Sequence, residues 1–140
     1  MKWKELRFKD FPALLKEIPD KPEKLYLEGE LPSDEMKFLA VVGSRKYTPY
    51  GKEVCEKLIS GLRGYPVVIV SGLALGIDGI AHRAALDAGL ITIGVPGSGL
   101  DRNVLYPHSH RGLADKIVEL VRDSTSALQA ISLAEKYLIS

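Results

Sequence analysis

Phe38-Leu39-Ala40-Val41-Val42 is an unbroken apolar run that ends at Gly43, and two similar runs follow it. The second, at residues 67–70, ends in Ser71-Gly72, and the third, at residues 91–95, ends in Pro96-Gly97. Short apolar runs rich in β-branched residues, without polar alternation, are typical of strands buried on both faces of a parallel sheet. We therefore predict three parallel strands, at residues 38–42, 67–70 and 91–95.

A helix is predicted directly after the first strand. Thr48 followed by Pro49 is typical of an N-cap and the first helical position. The helix is expected to end near residues 61–64, where glycines occur. One face of this helix carries the apolar residues Val54, Leu58 and Leu62.

Three further helices are predicted downstream. The first, at residues 78–88, is rich in alanine and is followed by Gly89 at the position of a C-cap. The others are expected at residues 109–122 and 126–137. Strands that alternate with helices through short links predict an α/β fold, with a doubly wound parallel sheet flanked by helices.

Length and composition favour a single globular domain. The chain has 140 residues, of which 46% are hydrophobic and 26% are charged, and its formal net charge is +1. This composition excludes a disordered tail, a collagen-like chain and a coiled coil. Residues 1–37 are charged and rich in proline, so we interpret them as an N-terminal extension that packs on the domain formed by residues 38–140.

The sequence also limits the location and the metal chemistry that we expect. Cys55 is the only cysteine, which excludes an intramolecular disulfide and an all-cysteine metal site. Charges interrupt the first ten residues, and the longest apolar runs are far shorter than the ~20 residues that span a bilayer. We expect a soluble cytoplasmic protein with no metal, no cofactor and no membrane partner.

The turns after the three predicted strands form the candidate site. Ligands of open parallel sheets bind beyond the carboxyl ends of the strands. Glycine lets the backbone approach a ligand closely, and the following helix starts direct free N–H groups toward the same crevice. We therefore predict an anion site, most plausibly for phosphate, formed by Gly43, Ser44, Arg45, Lys46, Ser71, Gly72, Gly76, Gly97, Ser98 and Gly99.

Arg45 is the charged residue on which this prediction depends. The segment between Met36 and Gly51 contains Lys37, Arg45 and Lys46 but no acidic residue. An arginine in a glycine turn suits bidentate phosphate recognition. Neither G-x-G-x-x-G nor G-x-x-x-x-G-K-[ST] occurs at these turns, which makes a dinucleotide dehydrogenase or a P-loop NTPase a poor interpretation.

Asp78 and His82 are four residues apart on one helix face, where they could form an acid/base pair. The structural alternative, in which Asp78 caps the helix and shapes the loop, is the one we favour. His108 and His110 are poorly spaced for a shared metal and fit a polar rim better.

The segment from Arg102 to Arg111 is free of acidic residues and contains Tyr106. Basic residues around an aromatic ring suit single-stranded nucleic acid, in which bases stack and phosphates pair with cations. Packing of Tyr106 on the core is an equally good alternative. Asp78, His82, Arg102, Tyr106 and Arg111 are thus candidates for a supporting role.

Four ordered motifs resemble the DprA/Smf family of DNA-processing proteins. The first two are Val41-Val42-Gly43-Ser44-Arg45-Lys46-Tyr47-Thr48-Pro49-Tyr50-Gly51 and the segment from Val68 to His82 that contains Ser71-Gly72-Leu73-Ala74-Leu75-Gly76-Ile77-Asp78-Gly79. The third comprises Gly97-Ser98-Gly99-Leu100-Asp101 and Tyr106-Pro107, and the lead-in is Ile18-Pro19-Asp20-Lys21-Pro22 with Leu25-Tyr26. The resemblance covers about residues 17–117.

The resemblance implies a Rossmann-like fold that binds single-stranded DNA and helps to load a RecA-type recombinase, chiefly on DNA taken up during natural transformation. It implies a DNA-phosphate contact for Arg45, a pocket shaped by Ser44 and Ser71-Gly72, and no enzymatic activity. The chain departs from the family because the arginine-rich block that should follow Tyr106-Pro107 is missing. A shortened relative could retain only a small-ligand pocket.

We therefore expect a shortened DNA-binding protein of the DprA/Smf type. The alternative is a protein, or a hydrolase, of the wider Rossmann-like superfamily that acts on a nucleotide or a nucleotide-derived ligand. The hydrolase interpretation lacks a free glutamate in a turn as general base. A sheet of three strands would leave its edges exposed, which favours a homodimer.

Overall fold

A computed structural model of the protein describes residues 3–123 and 129–133, and its six strands belong to one sheet. The strands are β1 Trp3–Arg7, β2 Lys24–Glu28, β3 Lys37–Ala40, β4 Val67–Ser71, β5 Ile91–Gly94 and β6 Gln129–Leu133. The helices are α1 Ala13–Lys16, α2 Pro49–Ser60, α3 Ile77–Asp87 and α4 Arg111–Asp123, with 3-10 turns at Phe8–Asp10 and His108–His110.

The strand order is β1-β2-β6-β5-β4-β3. Strands β3, β4, β5 and β6 are parallel, whereas β1 pairs with β2, and β2 with β6, in antiparallel fashion. The predicted α/β fold is thus confirmed, and β3, β4 and β5 coincide with the three predicted strands to within two residues. Because these strands are adjacent and parallel, the turns that follow them lie side by side at the carboxyl ends of the strands.

The strands differ in how deeply they are buried. Val68 and Ile69 of β4 are fully buried, and every residue of β5 is buried. β3 is the last strand of the sheet, and Leu39 remains 44% exposed. The prediction of burial on both faces is therefore wrong for β3. A strand at the edge of a sheet has no neighbouring strand on one side, so no side chains flank its own side chains there.

Helices α2 and α3 cover the face of the sheet that carries Ile69. Thr48 caps α2 as predicted, since its hydroxyl accepts a hydrogen bond from the Gly51 N–H at 3.0 Å. The face that carries Val54, Leu58 and Leu62 is not the one that the helix buries most deeply, because Cys55 and Ile59 are buried, whereas Leu62 is partly buried and Leu58 is 68% exposed. Within the described ranges, no helix has the length and apolar character needed to cross a bilayer.

The N-terminal segment covers the opposite face of the sheet. Leu6, Phe11, Leu25 and Leu27 pack in one cluster with Val68, Ile91 and Ile93. Strands β1 and β2 also extend the sheet, so the expectation of a sheet with only three strands is wrong. The division of the chain at residue 37 stays a prediction.

The C-terminal prediction needs a correction. The helix expected at residues 126–137 is absent from the part of this span that the structure describes, where Gln129–Leu133 forms β6. This strand lies between β2 and β5, and its backbone pairs with both. Such pairing between distant segments overrides local helix propensity. The rest of the predicted helix lies outside the described residues.

Candidate functional site

The turn after β3 is folded by the side chain of Ser44. Its hydroxyl donates to the carbonyl oxygen of Lys46 at 2.7 Å and accepts from the Lys46 N–H at 3.1 Å. The carbonyl oxygen of Ser44 accepts from the Ile77 N–H of α3 at 3.1 Å. Ser44 therefore gives the turn its shape and joins it to the start of α3.

Two glycines allow this close contact between the first and second turns. A Cβ atom at Gly43 would lie 2.6 Å from Cβ of Ile77. Gly76 has a φ angle of 81°, and a Cβ atom there would collide with the carbonyl oxygens of Ser44 and Arg45. Both positions therefore require glycine for the two turns to meet.

The same turn presents cationic groups and free amides to solvent. Arg45 and Lys46 are exposed, and neither side chain has a hydrogen-bond or ion-pair partner among the described residues. The amides of Gly43, Ser44 and Arg45 likewise donate to no acceptor in that part of the chain. The turn thus combines an unpaired guanidinium, an unpaired ammonium and unpaired N–H groups, which can together bind an anion.

The second turn is held by two hydrogen bonds. The hydroxyl of Ser71 donates to the carbonyl oxygen of Val41 at 2.6 Å, which joins the ends of β4 and β3. The buried carboxylate of Asp78 accepts from the Gly72 N–H at 3.0 Å. Ser71, Gly72 and Asp78 are therefore engaged in positioning the two turns, and the structural interpretation of Asp78 is the one that the geometry favours.

His82 has no exposed surface, and both of its ring nitrogens have partners. Nε2 accepts from the Leu73 N–H at 3.3 Å. Nδ1 lies 2.7 Å from the hydroxyl of Thr92, which itself donates to the carbonyl oxygen of Ile69 at 2.9 Å, so Nδ1 must carry the proton. Burial, with a smaller contribution from nearby His110, lowers the pKa of His82 to about 3. His82 is thus a neutral structural group at physiological pH.

Sequence reasoning missed the clamp that two histidines form on Leu73. Leu73 has a φ angle of 56°, which is unusual for a residue with a side chain. Its N–H donates to His82, and its carbonyl oxygen lies 2.8 Å from Nδ1 of His110. His110 is buried, so its assignment to a polar rim is wrong, whereas His108 is exposed. The clamp fixes the loop between β4 and α3, and no local sequence pattern marks it.

The third turn connects to an exposed aromatic residue. The hydroxyl oxygen of Ser98, between Gly97 and Gly99, accepts from the Tyr106 N–H at 2.9 Å. The ring of Tyr106 is 62% exposed, so the alternative in which it packs on the core is wrong. Arg111 donates to the carbonyl oxygens of Leu105 and Asn103 at 3.2 and 2.9 Å, which supports the loop that carries Tyr106.

Arg102 is engaged inside the protein. It donates to Asp115 at 2.7 Å and to both carboxylate oxygens of Glu28, at 3.0 and 3.3 Å. A further bond reaches the carbonyl oxygen of Leu100. Burial opposes the charge, but the bonds to Asp115 and Glu28 raise the pKa of Arg102. Its guanidinium joins β2 to α4, so the supporting role expected for Arg102 at the site is wrong.

Comparison with known proteins finds relatives over most of the chain. The family model for DNA recombination-mediator protein A matches residues 5–128. DNA processing protein DprA of Streptococcus pneumoniae is 49% identical over 109 residues, which are 76% of this chain and 37% of that protein. Protein Smf of Escherichia coli is 43% identical over 113 residues, which are 78% of this chain and 29% of that protein. The chain thus spans well under half the length of these curated relatives.

Solved structures show the same likeness. The X-ray structure of DprA from Streptococcus pneumoniae is 37% identical, with a TM-score of 0.75, and the match covers 94% of this chain and 44% of that one. A structure of DNA processing protein A from Helicobacter pylori, described in terms of its single-stranded DNA binding mode, is 29% identical with a TM-score of 0.72. That match covers 99% of this chain and 58% of the other.

Proposed function

The chain belongs to the DNA recombination-mediator protein A family, which includes the DprA and Smf proteins, and we propose on that premise that it binds single-stranded DNA through the turn after β3. The relatives are named as DNA-processing proteins, and the Helicobacter pylori structure is described as binding single-stranded DNA. The chain spans well under half the length of those curated relatives, so the proposal is confined to contacts that its own residues could make.

The observation that carries the proposal is the unpaired state of Arg45 and Lys46. An exposed cation that has an internal partner must give up that partner before it can bind a phosphate. Arg45 and Lys46 need no such exchange, and the turn that carries them is already fixed by Ser44 and Gly76. Preorganised cations and amides favour a phosphate that lies across the carboxyl ends of β3 and β4.

Tyr106 offers a second kind of contact. Its exposed ring lies on the loop that follows the third turn. Stacking of a base on an aromatic ring contributes about 1–3 kcal/mol and depends little on which base it is. A single DNA strand could then bind through two kinds of group, its phosphates at Arg45 and its bases by stacking on Tyr106. Gly97, Ser98 and Gly99 would line its path between the two.

We propose no turnover for this protein. The acid/base pair that the sequence suggested, Asp78 with His82, is engaged in internal hydrogen bonds, and His82 has no exposed surface. The role in the cell that fits a DNA-binding protein of this family is to hand single-stranded DNA to a RecA-type recombinase, including DNA taken up during transformation. A protein with this role binds and releases DNA without breaking a bond.

The experiment that tests the proposal is a titration of a fluorescently labelled single-stranded oligonucleotide, read by anisotropy. We expect Arg45→Ala to weaken binding about tenfold or more at low salt, since a hydrogen bond to a charged group contributes about 1.5–3 kcal/mol. The slope of log K against log salt concentration should fall by about 0.7, the value for one phosphate contact on a single strand.

Arg63→Ala is the matched control. Arg63 donates to the carbonyl oxygen of Asp87. It precedes β4, so it lies near the amino end of that strand, whereas the proposed site lies at the carboxyl ends of the strands. The Arg63→Ala substitution removes one positive charge, as Arg45→Ala does. A nonspecific effect of net charge would therefore weaken oligonucleotide binding by both variants equally. Equal binding by the Arg45→Ala variant and the parent protein would refute the proposal. Double-stranded DNA of the same sequence is expected to bind more weakly than the single strand.

A further inference from the structure

Phe8 is the centre of an aromatic and basic cluster that follows β1 directly. Its ring is 52% exposed and lies in an edge-on arrangement against the buried ring of Phe11, at a centroid distance of 6.2 Å. The ammonium groups of Lys16 and Lys21 lie 5.6 and 5.8 Å from the centre of the Phe8 ring, within the range of a cation–π interaction. We call Phe8, Lys9, Lys16 and Lys21 the Phe8 platform.

Backbone carbonyl groups hold two lysines of the platform in place. Lys16 donates to the carbonyl oxygen of Lys9 at 3.2 Å, and Lys21 donates to that of Ile18 at 3.1 Å. Among the residues that the structure describes, Lys9 and Lys16 form no ion pair with a carboxylate. The positive charges of these two lysines are therefore available to an anion, beside a ring on which a base can stack.

The platform lies at the same end of the sheet as the turn after β3. β1 is antiparallel to β2 and β2 is antiparallel to β6, whereas β6, β5, β4 and β3 are parallel to one another. β1 therefore runs in the same direction as β3, and Phe8 at its carboxyl end lies on the side of the sheet where Arg45 lies. The strand order places five strand spacings of about 4.8 Å between β1 and β3, which gives about 24 Å.

We propose that a single DNA strand bound at Arg45 continues across the carboxyl ends of the strands to the Phe8 platform. There a base stacks on Phe8, and phosphates pair with Lys9 and Lys16. This inference rests on the proposed function and deepens it, because it extends the same site to the N-terminal segment. At about 3.4 Å per nucleotide, the rise along one strand of B-DNA, the span of about 24 Å corresponds to about seven nucleotides, and to fewer where the strand is extended.

The position of the platform favours DNA as its occupant. β5, which precedes the loop that carries Tyr106, lies between β1 and β3 in the strand order, so one strand that follows the carboxyl ends passes all three places. The platform also repeats the combination of an exposed ring with available cations that Tyr106 and Arg45 supply. Leu14 and Ile18, in the same segment as Phe8, are 65% and 40% exposed, which makes an anionic lipid surface the competing occupant.

Anisotropy titrations with labelled thymidine oligonucleotides of two lengths test the inference. With a strand of about 15 nucleotides, we expect Phe8→Ala to weaken binding about tenfold, the size of one base–aromatic contact. Lys9→Ala should lower the slope of log K against log salt concentration by about 0.7, the value for one phosphate contact. A strand of about three nucleotides that is bound at Arg45 is too short to reach Phe8, so Phe8→Ala should leave its affinity unchanged.

Tyr65→Ala is the matched control. Tyr65 is 64% exposed and precedes β4, so this variant loses an exposed aromatic ring near the amino end of that strand. It should bind both oligonucleotides like the parent protein. Circular dichroism verifies that each variant is folded, and Lys9→Ala keeps the test valid if Phe8→Ala unfolds.

The outcomes separate this inference from the proposed function. Undiminished binding of the longer strand by Arg45→Ala would refute the proposed function. If Arg45→Ala weakens that binding but Phe8→Ala and Lys9→Ala do not, only the extension to the platform is overturned. An equal loss of the three-nucleotide strand in Phe8→Ala would also overturn it. Cosedimentation with phosphatidylglycerol vesicles that Phe8→Ala abolishes, with DNA binding unchanged, would assign the platform to a lipid surface instead.

Discussion

Lowering the pH should destabilise the protein through His82. The pKa of this histidine falls from 6.5 to about 3 on folding, mainly because the ring is buried. The native state keeps the ring neutral, whereas the unfolded chain takes up a proton below pH 6.5. Stability is therefore fully present above that pH and is lost as the pH falls toward 3.

The size of the effect follows from the two pKa values. Each pH unit between them changes the free energy of unfolding by about 1.4 kcal/mol for one proton. Between pH 7 and pH 5 the contribution of His82 is therefore about 2 kcal/mol. Most carboxylates remain ionised over this range, so the histidine effect is not masked.

Urea unfolding at pH 7 and pH 5 measures this contribution. The parent protein should lose about 2 kcal/mol more than a His82→Gln variant over this range. The variant should be less stable than the parent at pH 7, because it replaces a buried ring, but should depend less on pH. A His108→Gln variant is the control, since His108 is exposed, and it should match the parent. Equal pH dependence in the His82→Gln variant and the parent would refute the reasoning.

Three further predictions concern the turns and the loop beside them. Gly76→Ala should destabilise the protein more than Gly64→Ala in urea unfolding. Both glycines have φ above 80°, so both changes introduce strain of about 1–2 kcal/mol, but only Gly76 has backbone in the way of a Cβ atom. Arg102→Met should lower the free energy of unfolding by about 3 kcal/mol, because it leaves the buried carboxylate of Glu28 unpaired, and adding Glu28→Gln should restore part of this loss. Tyr106→Ala should weaken oligonucleotide binding by about 1–3 kcal/mol without changing its salt slope, since stacking releases no counterions; a reduced slope would show that the loop acts through charge.

The strands around the site could be predicted because their sequence signals are local. An apolar run followed by glycine locates the ends of β3, β4 and β5, and Thr48-Pro49 locates the start of α2. The pairing of β1 and β2 with the rest of the sheet could not be predicted in this way. Leu25 and Leu27 come to lie against Ile91 and Ile93 only through contacts between distant segments.

The same distinction between local sequence signals and contacts of distant segments applies to the candidate site. The Gly-Ser-Arg turn is a local motif, and the structure places it at the carboxyl end of a parallel strand as expected. Which cations of the region are free could not be read from sequence, because Arg102 finds its acidic partners at Glu28 and Asp115. The buried face of α2 could not be read from sequence either, because Leu58 and Ile59 are neighbours that differ little in hydrophobicity, and the position of α3 decides which of them is covered.

The location of DNA on the protein is the claim that most needs a direct measurement. A two-dimensional ¹⁵N–¹H NMR titration with a short single-stranded oligonucleotide follows every backbone amide at once. We expect saturable shifts at Gly43, Ser44, Arg45 and Lys46, with smaller ones near Tyr106, and none at residues near Arg63. Binding that leaves the amides of Gly43–Arg45 unchanged while amides elsewhere shift would contradict the account.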